Sequence, residues 1–230
     1  KDYGLDTSNN TYIVAEIGIN HGGSVDVAKK LIDSASKTGC DAVKFQTYIT
    51  EKRVPEGNVA IFDILKGCEL SFSDFSILKS HAEGLGLEFF STAFDRESVE
   101  YLESIDVGFY KVASFDVVNG DLLRALKQTA KPIILSVGMC DLSEIRKACD
   151  LLGSENQLSI LHCISAYPTD NRDANLGAIS VLRKNFPECL IGQSDHTTGI
   201  EVPLYAVAAG AQVLEKHYKI DESMDCVDAF

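Results

Sequence analysis

A chain of 230 residues with a formal charge of −13 is long enough to bury a core without disulfides, and its acidic balance argues against nonspecific nucleic-acid binding. Apolar residues make up 45% of it, an ordinary globular share, and no apolar run is long enough to span a bilayer. Seven cysteines form an odd, scattered set without CxxC spacing, which reads as reduced thiols in a cytoplasmic protein.

Small anions stay open, because a few lysines inside a pocket hold them whatever the global charge. The start, "KDYGLDTSNN", lacks the apolar core of a secretion signal and opens on Lys1, so the chain is expected to begin inside a longer product.

In chain order, "TYIVAEIG" (11–18) reads as a strand buried on both faces, followed by a helix over 24–39 that opens on Ser24 and closes on Gly39. The strand "DAVKFQ" (41–46) leads into the longest loop, 47–70, and then a helix over 71–86. The strands "LEFFST" (87–92), "GFYKVAS" (108–114) and "PIILSVG" (132–138) alternate with helices over 95–105, 119–129 and 141–153. The strands "LSILHC" (158–163), "CLIGQSD" (189–195) and "QVLEKHY" (212–218) alternate with helices over 175–185 and 199–210.

Eight strands and seven helices in strict alternation imply parallel strands with right-handed crossovers and predict an α/β (β/α)₈ TIM barrel, with 1–230 as one domain. An eighth helix is missing from the pattern, so the chain is expected to be cut short or covered there by a partner. The segment "YGLDTSNNTY" is expected to end a hairpin at the barrel bottom.

In a barrel, functional side chains gather where the strands end. Glu16 closes strand one, Lys44 and Gln46 strand two, Thr92 strand three, and Lys111 with Ser114 strand four. Ser136 closes strand five, Ser165 and Tyr167 follow strand six, Ser194, Asp195 and His196 end strand seven, and Glu215 with His217 end strand eight. Buried Lys, Glu and His are uncommon unless paired, so packing alone does not explain such a set.

Alternation puts Lys44 and Gln46 on one face of their strand, and Glu215 and His217 on one face of theirs. His196 and His217 end sequential strands, a spacing that lets two imidazoles reach one divalent cation such as Mn²⁺, Mg²⁺ or Zn²⁺ acting as a Lewis acid on a carbonyl. Two lysines with several hydroxyls fit a small polyanion carrying phosphate and carboxylate. No P-loop or GxGxxG is present, which argues against nucleotides.

The motifs "AEIGINHGGS", "DAVKFQTY", "FFSTAFDRES", "YKVASFD", "ILSVGM", "LHCISAYPT", "IGQSDHTTG" and "LEKHY" run in order over nearly the whole chain, which resembles the sialic acid synthase family. The resemblance implies condensation of phosphoenolpyruvate with an N-acetylated aminosugar, N-acetylmannosamine-like, to a nine-carbon 2-keto-3-deoxy acid. It implies metal ligands His196 and His217 for Mn²⁺ or Mg²⁺, and phosphoenolpyruvate held by Lys44, Thr92, Lys111, Ser114, Ser136 and Ser194. Glu16 and Glu215 would be acid/base carboxylates, and Gln46, Tyr167 and Asp228 would contact the open-chain sugar. Ser165 departs from the family pattern, reading "CIS" where "CTN" is usual, and the 51–66 loop is shorter than in bacterial members. Family members continue into helix eight and a small antifreeze-like domain whose arginine reaches across a homodimer; neither is in this sequence.

Two other readings stand beside this one: a Schiff-base aldolase using Lys44 or Lys111, and a noncatalytic binding module. Smaller features get plainer readings. His21 lines the mouth or caps helix one, His81 is a surface residue, and His162 is a hydrogen-bonded core residue. Phe89, Phe90, Phe94 and Phe115 are expected to fill apolar layers.

Overall fold

The computed structural model describes residues 5, 7, 10–55, 57–226 and 228. The strands are β1 Tyr12–Gly18, β2 Ala42–Thr47, β3 Glu88–Ala93, β4 Tyr110–Val112, β5 Ile133–Ser136, β6 Leu158–His162, β7 Leu190–Asp195 and β8 Val213–His217. They are hydrogen-bonded in the order β1 to β8 and close into a barrel, so the (β/α)₈ expectation holds.

Between them run α1 Val25–Ala35, α2 Thr50–Arg53, α3 Val59–Cys68, α4 Phe72–Gly84, α5 Arg96–Ser104, α6 Gly120–Lys127, α7 Leu142–Leu152, α8 Gly177–Asn185 and α9 Glu201–Ala208. The seven expected helices are present, and two more, α2 and α3, occupy the segment read as a loop. Among the described residues no helix is long and apolar enough to cross a membrane. The hairpin expected at 3–12 falls largely outside the described residues.

The chain divides into two compact units, one built on Ala15–Val107 with the described residues from His217 onward, the other on Gly108–Lys216 with the described residues up to Val14. In the Ala15–Val107 unit β2 and β3 pair in parallel, with Gln46 opposite Thr92. Phe45 and Phe89 stack with ring centroids 5.3 Å apart, and Leu31, Ile32, Leu78 and Phe90 are fully buried. Ser24 caps α1 by accepting from the Val27 N–H. Beyond β2, Ile19, Tyr48, Val54, Leu65 and Cys68 form a separate apolar cluster against which Phe62 and Phe94 pack. That cluster is why 47–70 folds into helices instead of a loose loop.

In the Gly108–Lys216 unit β4 to β8 pair in parallel, and Ser194 stands opposite Glu215 and Asp195 opposite Lys216. Gly192 belongs to this pairing for want of space: a Cβ there would lie 2.1 Å from the Val213 carbonyl oxygen. β4 is shorter than the 108–114 expected, because Ser114–Asp116 turns into a 3-10 helix. Phe115 lies on that turn and is 49% exposed, so it fills no apolar layer.

All seven cysteines are free thiols. His162 is buried with its Nε2 2.8 Å from the Ala174 carbonyl, as expected of a core histidine. His81 lies on α4 with its side chain 30% exposed, and its Nε2 meets Asp33 Oδ1 at 2.7 Å.

Candidate active site

In the Ala15–Val107 unit, Glu16 lies inside β1 and Lys44 inside β2, both buried, with Lys44 Nζ 2.8 Å from Glu16 Oε2. The same ammonium donates to Thr92 Oγ1 at 3.0 Å. Gln46 Nε2 donates to Glu16 Oε1 at 3.4 Å, so Lys44 and Gln46 share a face as alternation requires. Gly18 is tight against this group: a Cβ would come within 3.1 Å of Glu16 Oε1 and 3.3 Å of Gln46 Nε2.

His217 ends β8, with its Nδ1 3.5 Å from Asp228 Oδ2, longer than a usual N–H···O bond. Burial raises the Asp228 carboxyl above its ordinary value, against the lowering pull of Lys44 and Arg53. The Asp228 N–H donates to Asn20 Oδ1 at 2.9 Å, and Asn20 Nδ2 donates to the Tyr218 carbonyl at 3.1 Å. Asn20 thereby ties the segment after β8 to the turn after β1. His21 is buried and stacks on Phe45 at 5.9 Å, and its Nδ1 accepts from the Gly23 N–H at 3.1 Å, in the turn that precedes the Ser24 cap of α1.

In the Gly108–Lys216 unit, Lys111 at the centre of β4 donates to Glu215 Oε1 at 2.8 Å, and both are buried. The Ser194 hydroxyl donates to the same oxygen at 2.8 Å. Ser114 lies past β4; its Oγ accepts from the Gly138 N–H at 3.0 Å and contacts Cys163 Sγ at 3.1 Å. Ser136 ends β5 with its Oγ buried and without a hydrogen-bond partner among the described residues. Ser165 and Tyr167 are exposed on the segment after β6, and the Tyr167 ring packs on His196 with centroids 4.1 Å apart.

His196 Nδ1 lies 2.7 Å from the Ile164 carbonyl, so that nitrogen carries the proton, and Nε2 faces the Ser194 hydroxyl oxygen at 3.5 Å. Burial lowers its pKa, partly offset by that backbone bond, which keeps the ring neutral at neutral pH. A neutral imidazole oriented by a carbonyl is the donor a divalent cation takes. Among the described residues no group of three or more His, Cys, Asp or Glu could hold a metal ion.

Asp195 does not join Ser194 and His196. Alternation turns it, with Gln193 and Thr197, to the other face of β7, where it accepts from Lys216 Nζ at 2.6 Å and from Thr197 Oγ1 at 3.0 Å.

Sequence reasoning missed Lys216 and also Arg53. The Arg53 guanidinium donates to Gln46 Oε1 at 3.0 Å and lies 3.7 Å over the Phe94 ring and 4.7 Å over the Tyr48 ring. Its position on a four-residue helix inside an expected loop left no periodic signal to find.

The closed eight-stranded βα barrel is a fold in which enzymes carry their sites at the C-terminal ends of the strands, where these polar side chains lie. A family model described as "NeuB family" matches residues 31–230, and the chain belongs to that family. It is 42% identical over 220 residues, 95% of this chain, to an uncharacterized protein of Methanocaldococcus jannaschii. It is 39% identical, over 93% of this chain, to N,N'-diacetyllegionaminic acid synthase of Legionella pneumophila. The chain spans 65% of the length of each of these two relatives. Among solved structures, the N-acetylneuraminic acid synthetase of Leptospira borgpetersenii, in complex with citrate, superposes with a TM-score of 0.92 at 39% identity. That match covers 96% of this chain and 77% of the other.

Proposed function

We propose that this chain is the barrel of a sugar-acid synthase that condenses phosphoenolpyruvate with an N-acetylated aminosugar and water, releasing phosphate and a nine-carbon 2-keto-3-deoxy acid. The observation that carries the reading is the pair of buried ion pairs, Lys44–Glu16 and Lys111–Glu215, each with a hydroxyl bonded into it. Burying such pairs is costly, and replacing them with apolar residues is often neutral or stabilising, so stability is a poor reason for keeping two of them. A reaction that binds a polyanion and moves protons is a better one. The family match and the synthase names carried by its relatives support the same conclusion.

In this mechanism Lys44, Thr92, Lys111, Ser114, Ser136 and Ser194 hold the phosphate and carboxylate of phosphoenolpyruvate, and the buried Ser136 hydroxyl supplies a donor for it. Gln46, Tyr167, Asp228 and Ser165 contact the open-chain sugar. His196 and His217 would hold Mn²⁺ or Mg²⁺, which supplies Lewis acidity toward the sugar aldehyde oxygen. C3 of phosphoenolpyruvate bonds to the aldehyde carbon, and water adds to C2 of the resulting cation. The tetrahedral intermediate then loses phosphate by C–O cleavage, leaving the 2-keto group. Glu16 and Glu215 stand where a carboxylate can take the proton of the attacking water and return one to the new alkoxide.

A Schiff base needs a neutral amine, and both lysines stand in ion pairs with carboxylates, which disfavours the aldolase reading. The test is phosphate release from phosphoenolpyruvate with Mn²⁺ or Mg²⁺ and a panel of N-acetylated aminosugars, phosphorylated and not. Release that requires one of the sugars is expected. Absence of release with every sugar contradicts the proposal.

A further inference from the structure

We infer that Arg53 is a positioning residue, which fixes the side-chain amide of Gln46 and through it the polar groups offered to the acceptor sugar. The role in sugar recognition rests on the synthase reading above.

The hold begins outside the strand. Val54, next to Arg53, is buried in the cluster of Ile19, Tyr48, Leu65 and Cys68. The start of α2 is pinned by two carboxylates: the Ile49 N–H donates to Asp95 Oδ2 at 3.1 Å and the Thr50 N–H to Glu69 Oε2 at 2.9 Å. A four-residue helix fixed in this way presents its last residue with little freedom. The Arg53 guanidinium then lies against the faces of Phe94 and Tyr48, contacts that orient its plane and add cation–π attraction.

From that plane Nη1 donates to Gln46 Oε1 at 3.0 Å. A glutamine amide can flip, exchanging its acceptor and its donors, and arginine has no acceptor to offer. The charged donor therefore selects one orientation, with Oε1 toward Arg53 and Nε2 toward Glu16 Oε1, 3.4 Å away. The series runs Arg53 to Gln46 to Glu16, with Lys44 bonded to the far side of that carboxylate and to Thr92. Loss of the Arg53 donor leaves that orientation to the long 3.4 Å contact with Glu16, so the amide turns more freely.

The test uses Arg53→Met, which keeps an unbranched side chain against the two rings but removes every donor, with Arg96→Met, at an exposed side chain of α5, as the control. The first readout is the side-chain amide signal of Gln46 in glutamine-labelled protein. Broadening or displacement in Arg53→Met, and no change in Arg96→Met, is expected; an unchanged Gln46 signal in Arg53→Met overturns the inference. The second readout is kinetic. The KM for the aminosugar should rise about tenfold, as for loss of a charge-assisted hydrogen bond, while the KM for phosphoenolpyruvate stays within about twofold. A Gln46→Ala background should abolish most of the Arg53 effect. Equal rises in both KM values, or full additivity with Gln46→Ala, overturn it. If the unaltered protein turns over no aminosugar, the synthase reading fails, and the Gln46 signal by itself still decides whether Arg53 holds the amide.

Discussion

Lys111 and Glu215 form a buried ion pair at 2.8 Å, and the carboxylate oxygen that meets the ammonium also accepts the Ser194 hydroxyl. Taking away one charge of such a pair is far more costly than taking away both. Lys111→Met should therefore lower unfolding stability by about 3–5 kcal/mol in urea titrations, and Lys111→Met with Glu215→Leu should recover most of that loss. Neither variant should release phosphate from phosphoenolpyruvate, since the first lacks the cation and the second lacks both groups.

Asp195 and Lys216 are unequally exposed, with side chains at 1% and 30%, and this sets a second expectation. Lys216→Met leaves a buried carboxylate without its cation, whereas Asp195→Asn keeps hydrogen-bonding capacity beside a lysine that can turn toward water. The lysine variant should lose about 2–4 kcal/mol and the asparagine variant about half as much, both read from urea midpoints. The reverse order would show that Lys216 contributes little to holding β7 and β8 together.

The strand pattern was legible because strands buried on both faces leave near-continuous apolar runs, and Lys44, Glu16, Lys111 and Glu215 stood out against them by the cost of burying charge. Asp195 misled for a geometric reason: its chain neighbours Ser194 and His196 face the other way, and alternation assigns it to Lys216. The run "YKVAS" continues apolar and so reads as strand through Ser114, while the turn into Ser114–Asp116 leaves no such mark. The helices at 50–53 and 59–68 were hidden by Pro55 and Gly57, and by their dependence on distant partners such as Asp95 and Glu69. Arg53 went unseen for the same reason, since its meaning lies in Phe94 and Gln46 rather than in its neighbours along the chain.

His21 ties stability to pH. Burial pushes its imidazole down to about 4, against the raising effect of the Gly18 carbonyl. Above the ordinary histidine value of about 6.5 the ring is neutral in both the folded and the unfolded chain, and it contributes no pH dependence. Between about 6.5 and 4 the unfolded chain takes up a proton that the folded chain refuses, so stability falls as pH falls, by roughly 3 kcal/mol over the window. His21→Asn keeps an acceptor for the Gly23 N–H and removes the titration, so urea midpoints at pH 7 and pH 4.5 should differ less in the variant than in the unaltered chain.

Gly138 touches both packing and the proposed phosphoenolpyruvate contacts. A Cβ there would lie 2.5 Å from the Cys163 carbonyl oxygen and 2.6 Å from its sulfur, while the Gly138 N–H holds Ser114 Oγ. Gly138→Ala should cost about 1–3 kcal/mol of stability and also weaken phosphoenolpyruvate binding in calorimetry. Ser114→Ala should weaken binding with a smaller stability loss, which separates the hydroxyl from the backbone that positions it.

The most direct measurement is turnover of phosphoenolpyruvate labelled with ¹⁸O at the bridging oxygen, in the presence of an accepted aminosugar and a divalent metal. Condensation followed by C–O cleavage delivers the label to inorganic phosphate and leaves the keto oxygen of the sugar acid derived from water. Label retained in the sugar acid, or labelled phosphate released at the same rate without any sugar, would contradict it.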